Sequence, residues 1–201
     1  MSTGQRRVVL ATHNAHKVEE FQAIVAATRP DFEVVGYDGP EPVEDGTTFA
    51  ANALIKARRA AAHTGLPALA DDSGICVDVL GGAPGVFSAY WAGHAKDAAA
   101  NLNLLLDQLL DIRDPHRTAQ FVSTIALVVP GGDEHVVEGV WPGRLATAAA
   151  GVGGFGYDPV FIPDGQTGTE RTVGEWSASE KNDTSHRARA FGALAPLLAA
   201  L

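Results

Sequence analysis

The sequence predicts an α/β protein built on a mixed β-sheet, and three observations carry that expectation. Short apolar strand runs alternate with helical periodicities through the first half of the chain. Two β-branched and aromatic runs, residues 118–129 and 134–141, flank Pro130-Gly131-Gly132-Asp133, a turn sequence that implies an antiparallel hairpin. No internal repeat, charge block or Ser/Pro linker divides the chain, so one domain over residues 1–201 is expected.

Arg7 to Ala11 reads as a buried strand. Val18, Phe21 and Val25 then share one helical face until Arg29-Pro30 stops the helix. Phe32 to Tyr37 is a second strand, and Asp38 to Gly46 a polar loop. Thr48 to Thr64 is an Ala-rich helix closed by Gly65 and Pro67. A short strand, Ala68 to Ala70, runs into Asp71-Asp72. After the Gly-rich stretch 81–85, Asp97 caps a helix through Leu110, with Leu102, Leu105, Leu106 and Leu109 inward. Val160 to Ile162 is a further strand. Ser177 and Glu180 have the spacing of a capping box, and a final helix is expected from about Ser185 toward Leu198. In a mixed α/β order of this kind, chemistry belongs in the loops at strand ends.

Composition narrows the function classes. Fifteen Lys and Arg against 24 Asp and Glu give a net charge of −9, which repels a nucleic-acid backbone, so no polymer partner is expected. A phosphate ligand would need a local cluster of cations or a metal to overcome that field. The single cysteine, Cys76, has no partner for an intramolecular disulfide, consistent with a cytoplasmic protein. The apolar run behind Arg6-Arg7 is too short for a signal peptide, and the apolar C-terminal stretch is broken by Gly192 and Pro196, so no membrane segment is expected.

Four groups of residues can carry chemistry. Thr12, Asn14 and Lys17 lie between the first strand and first helix, where a hydroxyl, an amide, a cation and helix N–H groups converge on an anion; a helix cap with a solvated lysine is the competing reading. Asp71-Asp72-Ser73-Gly74 follows a strand, so one carboxylate can hold Mg²⁺ or orient water, with Glu44 as a second hard oxygen ligand; an ordinary Asp-Ser-Gly turn competes. Gly153 to Pro159 sets Phe155 and Tyr157 among glycines, either as a slot for a flat base or as a tight turn with core aromatics. Lys181, Ser185, His186 and Arg187 offer donors near the last helix, as would any exposed basic helix start. Lys56, on the Ala-rich helix, reads in isolation as a solvated lysine.

Taken together, Thr12-x-Asn14-x-x-Lys17, Ala70-Asp71-Asp72-Ser73-Gly74, Leu80-Gly81-Gly82-Ala83-Pro84-Gly85, Gly154-Phe155-Gly156-Tyr157-Asp158-Pro159 and Ser185-His186-Arg187 strongly resemble the inosine/xanthosine triphosphate pyrophosphatase family. The match runs in order over nearly the whole chain. The resemblance implies an elongated mixed β-sheet with flanking helices forming two lobes around an active-site cleft, usually in a homodimer. It also implies Mg²⁺-dependent hydrolysis of ITP, dITP and XTP to the monophosphate and pyrophosphate. Carried over by position, Thr12, Asn14, Lys17, Lys56 and Ser73 would hold the triphosphate. Asp72 would be metal ligand and proton acceptor, and Glu44 a further metal ligand. Phe155, Gly156, Tyr157, Asp158, Lys181, His186 and Arg187 would surround base and sugar or reach the phosphates.

Two departures from the resemblance stand out. Many relatives read Phe-x-Glu-Asn-Ala where this chain has Phe49-Ala50-Ala51-Asn52-Ala53, so either that carboxylate is dispensable or Glu44 and Asp45 compensate. Tyr90 stands where relatives often carry Arg. Two rival readings are a phosphohydrolase with an aspartyl-phosphate intermediate, whose usual Asp-x-Asp is absent, and a nucleotide sensor without turnover.

Overall fold

The computed structural model describes residues 6–13 and 15–201. Six strands form one mixed sheet in the order β2-β1-β3-β4-β5-β6. They are β1 (Arg6–Leu10), β2 (Phe32–Gly36), β3 (Ala68–Val77), β4 (Thr118–Val128), β5 (Glu134–Leu145) and β6 (Phe161–Pro163). β1 pairs parallel with β2 and β3, while β5 pairs antiparallel with β6, so the expected α/β class with a mixed sheet holds. Among the described residues five α-helices accompany the sheet: α1 (Ala15–Thr28), α2 (Phe49–Thr64), α3 (Ala98–Gln108), α4 (Ala178–Thr184) and α5 (His186–Ala200).

The chain divides into two compact units, each with its own core. The first comprises Met1–Asp72, Thr124–Glu138 and Ala190–Leu201. Here Val8, Leu10, Leu69, Ile125 and Leu127 pack with Phe21 and Val25 of α1 and with Phe191 and Leu194 of α5. A separate layer sets Ala53, Ala57, Ala60 and Ala61 of α2 against Val9, Ala68, Ala70 and Ala126. With methyl side chains on this face, α2 lies close to the strands, and its polar residues end up near the strand ends. Thr48 caps it by accepting from Ala51 N–H at 3.1 Å, and Gly65 in the left-handed conformation (φ 68°) ends it. The hairpin turn closes as expected, with Val129 N–H donating to Asp133 O at 3.1 Å.

The second unit comprises Ser73–Ser123 and Gly139–Arg189. Leu102 and Leu105 of α3, with Leu109 just after it, bury against Ile75, Val77, Phe121, Trp141 and Phe161. Asp97 caps α3 as expected, its carboxylate accepting from Ala99 and Ala100 N–H.

Beyond shifts of one or two residues, two boundaries differ from the sequence expectation. β3 continues through Val77, so Asp71-Asp72-Ser73-Gly74 is extended strand and the turn reading fails; Ile75 and Val77, fully buried beyond it, keep the chain in register with the core. β5 continues past Trp141 through Pro142 to Leu145, whose side chain is buried. The capping box at Ser177 and Glu180 starts a helix of its own, α4, which ends at Ser185 before α5 begins.

Candidate active site

In the first unit, the turn after β1, the start of α1, the loop 38–46, α2 and the middle of β3 bound a cavity of about 170 Å³. Thr12, His13, Lys17, Tyr37, Glu41, Glu44, Lys56 and Asp71 line it. Successive strand side chains point to opposite faces, and the two consecutive aspartates accordingly take different lysines. Lys17 Nζ donates to both carboxylate oxygens of Asp71, at 2.9 and 3.0 Å. Lys56 Nζ lies 3.2 Å from Asp72 Oδ1 and 3.1 Å from Glu44 Oε2. The solvated-lysine reading of Lys56 is therefore wrong: the Ala-rich face that buries α2 also buries most of the Lys56 side chain, 15 % exposed, between two carboxylates.

Electrostatics in this cluster favour an unusual carboxyl. Burial pushes Asp72 up from the ordinary aspartate value; Lys56 and the Asn52 side chain oppose this, and the like charge of Glu44 adds to it. Burial alone would lower Lys56, yet Asp72, Glu44 and Asp71 together hold its ammonium above the usual lysine value. Asn52 is itself buried, and its Oδ1 accepts from Gly46 N–H at 2.9 Å, fixing the end of the loop that carries Glu44.

In the second unit, residues 153–159 form a compact turn around Asp158, which is almost fully buried. Its Oδ2 accepts from Phe155 N–H at 2.6 Å and from Lys181 Nζ. Gly154 (φ 75°) is required here, because a Cβ would collide with the Asp158 carboxylate. The turn buries Tyr157, whose hydroxyl donates to Ser88 O at 2.9 Å and is pushed up by burial, and leaves the Phe155 ring 80 % exposed. His186 is buried and stacked on Phe121 at 4.9 Å between ring centroids, with Trp141 at 6.4 Å.

Residues 8–197 match a model of the Ham1 family. This chain belongs to the Ham1 family. It is 62 % identical over 195 residues to a dITP/XTP pyrophosphatase of Leifsonia xyli subsp. xyli, covering 97 % of this chain and 96 % of the relative. A Streptomyces coelicolor dITP/XTP pyrophosphatase is 54 % identical, with 96 % of each chain covered. Among solved structures, a HAM1 protein from Coxiella burnetii superposes with a TM-score of 0.89 at 37 % identity, covering 98 % of this chain and all of that one.

Within the Ham1 fold, Thr12, Lys17, Lys56 and Glu44 line one cavity, and Asp72 joins them through Lys56. Asn14 lies outside the described residues. Ser73 is half-buried in β3, in the second unit. There Phe155, Gly156, Tyr157, Asp158 and Lys181 are parts of one turn and its lysine anchor. Arg187, beside the buried His186, is half-buried at the start of α5. Two participants escaped the sequence reading, Asn52 as the loop anchor and His13 as a cavity wall, while Asp71, read there only as one of a pair of carboxylates, emerges as the partner of Lys17. A polar Asn52 on an otherwise methyl-only buried face was the one visible signal.

The donor set suits a hard cation. Among the described residues no three His, Cys, Asp or Glu side chains cluster as a self-sufficient metal site. Mg²⁺ asks for less, one or two carboxylates with substrate oxygens and water completing the shell. Asp72 Oδ2 is buried without a hydrogen-bond partner among the described residues, and Glu44 reaches the same lysine, so both carboxylates fit that demand.

Proposed function

We propose that this chain is a dITP/XTP pyrophosphatase that also accepts ITP, cleaving each triphosphate to the monophosphate and pyrophosphate with Mg²⁺. The observation that carries the reading is the Asp72–Lys56–Glu44 cluster beside the Lys17 cavity, in a chain 62 % identical to a protein of that name. Lys17 and Lys56, with Thr12, Asn14 and Ser73, bind the triphosphate; the two ammonium groups supply the local positive field that a chain of net charge −9 lacks overall. Asp72 accepts the proton of the water that attacks the α-phosphorus, a role suited to a carboxyl whose burial favours its protonated form. The α-phosphorus–oxygen bond breaks, and pyrophosphate leaves with the bonding pair. Asp72 and Glu44 would hold Mg²⁺, which when bound would neutralise charge on the triphosphate and the leaving group.

Phe155, Gly156, Tyr157, Asp158, Lys181, His186 and Arg187 surround the base and sugar or reach the phosphates. Phe155 offers an open ring face, while the buried Asp158 acts by holding the turn and Lys181 in place. A homodimer is part of the same reading, supported by the aromatic stretch Val86 to Trp91, in which Phe87 is half exposed. So is a cytoplasmic location; no described helix is long and apolar enough to cross a membrane.

Incubation of dITP and XTP with Mg²⁺, with products separated by chromatography, tests the reaction. Monophosphate and pyrophosphate in equal amounts, abolished by chelation, are expected. Orthophosphate and a diphosphate as first products would overturn the assignment.

A further inference from the structure

One imidazole ties the loop that carries Glu44 to the turn that leads into α1, the helix that carries Lys17. His13 Nε2 lies 3.0 Å from the Gly39 carbonyl oxygen, and its Nδ1 lies 3.1 Å from Glu41 Oε1. The ring lies flat on Tyr37, with centroids 5.8 Å apart and planes at 4°. Tyr37 in turn donates its hydroxyl hydrogen to Pro40 O at 3.0 Å, and His63 of α2 meets its other neighbourhood edge-on at 5.5 Å. Gly39 is what allows the loop to come this close, since a side chain there would run into the Tyr37 ring.

Both partners of His13 are acceptors. A neutral imidazole has one N–H and one lone pair, so it bonds only one of them; the doubly protonated ring bonds both. The charged groups facing this assembly are Glu41 on the loop, Asp38 beside His63 (3.7 Å), and Lys17, Glu44, Lys56 and Asp71 around the cavity. Residues 38–46 form no helix or strand. Beyond Glu41, the loop is fastened by Glu44 to Lys56 and by Gly46 N–H to Asn52. His13 therefore secures the half of the loop that precedes Glu44.

We infer that His13 is a positioning residue for the triphosphate site: its ring, set between Gly39 O and Glu41, holds the 39–44 loop in place at the cavity wall. The inference rests on the triphosphate reading above, and the experiment separates the two. Hydrogen exchange of residues 38–46 in wild type and His13→Gln, compared at the same pH, reads the strap without substrate. Steady-state kinetics with dITP and Mg²⁺ on the same proteins and on His13→Arg reads its consequence.

The wild-type loop should be more protected than the His13→Gln loop. KM for the wild type should be about 5-fold below that of His13→Gln, on the order of what one net hydrogen bond contributes, with kcat unchanged. His13→Arg, which can donate to both acceptors, should keep the lower KM. Equal loop protection, or equal KM values for wild type and His13→Gln, would overturn the inference. If the wild type releases no pyrophosphate, the functional reading fails while hydrogen exchange still decides the strap.

Discussion

Lys56 binds only one half of Asp72. Its Nζ sits 3.2 Å from Oδ1, while Oδ2 stays buried with no hydrogen-bond partner among the described residues. A buried carboxylate oxygen left in this state is costly for folding, and it is the oxygen a metal ion or a reacting water can use. Glu44 on the other side of the same ammonium keeps Lys56 charged without occupying Oδ2.

Asp72→Asn should fold, lose at least ~10²-fold in turnover, and melt no lower than the wild type at neutral pH. The sign follows from the raised carboxyl. A group whose folded value lies above its unfolded one contributes stability below the unfolded value, and that contribution is lost as pH rises through the folded one. Above that window the ionised Asp72 burdens the fold and an asparagine does not. Calorimetric melts from pH 4 to 8 should show the variant gaining on the wild type as pH rises. Turnover near the wild-type rate would remove Asp72 as proton acceptor.

Lys17→Ala should lower both stability and kcat/KM. Asp71 is buried, and Lys17 bonds both of its oxygens, so truncation withdraws that compensation at a cost of about 1–3 kcal/mol. The charge is also offered to the triphosphate in ground and transition states alike, so KM should rise. A denaturant midpoint and KM both equal to wild type would contradict this.

Gly154→Ala should destabilise the 153–159 turn by about 1–3 kcal/mol, from the positive φ and from the encounter with Asp158. Its effect on kcat/KM for dITP should exceed its effect on hydrolysis of inorganic tripolyphosphate, which has no base. Equal losses on both would detach the turn from base recognition.

Base preference provides the remaining check. Hypoxanthine and xanthine present O6 as acceptor and N1–H as donor, and adenine presents the opposite pair. Donors from Arg187, His186 or the backbone at 155–158 would meet an acceptor in dITP and a donor in ATP. A site built on such bonds can discriminate by about 10⁴. GTP shares O6 and N1–H with the accepted bases and should be rejected less completely than ATP. Comparable kcat/KM for ATP and dITP would refute this assignment even with pyrophosphate release intact.

By itself the sequence determined whatever local chemistry controls. Thr48 and Gly65 bound α2, Asp97 caps α3, Ser177 with Glu180 opens α4, and Pro130 to Asp133 turn the hairpin, because caps and turns are satisfied by residues within a few positions of each other. The ordered motifs likewise mark the Ham1 family. Tertiary structure alone decided that Asp71-Asp72 would be strand rather than turn, since burial of Ile75 and Val77 outweighs the turn preference of Asp, Ser and Gly. It alone joined Lys17 to Asp71, 54 positions away, and His13 to Gly39, 26 away. Such pairs carry no periodicity and no neighbouring signal. They exist because the parallel pairing of β1 with β2 and β3 lays distant segments side by side, and there the buried Asp71 finds its counter-charge in Lys17.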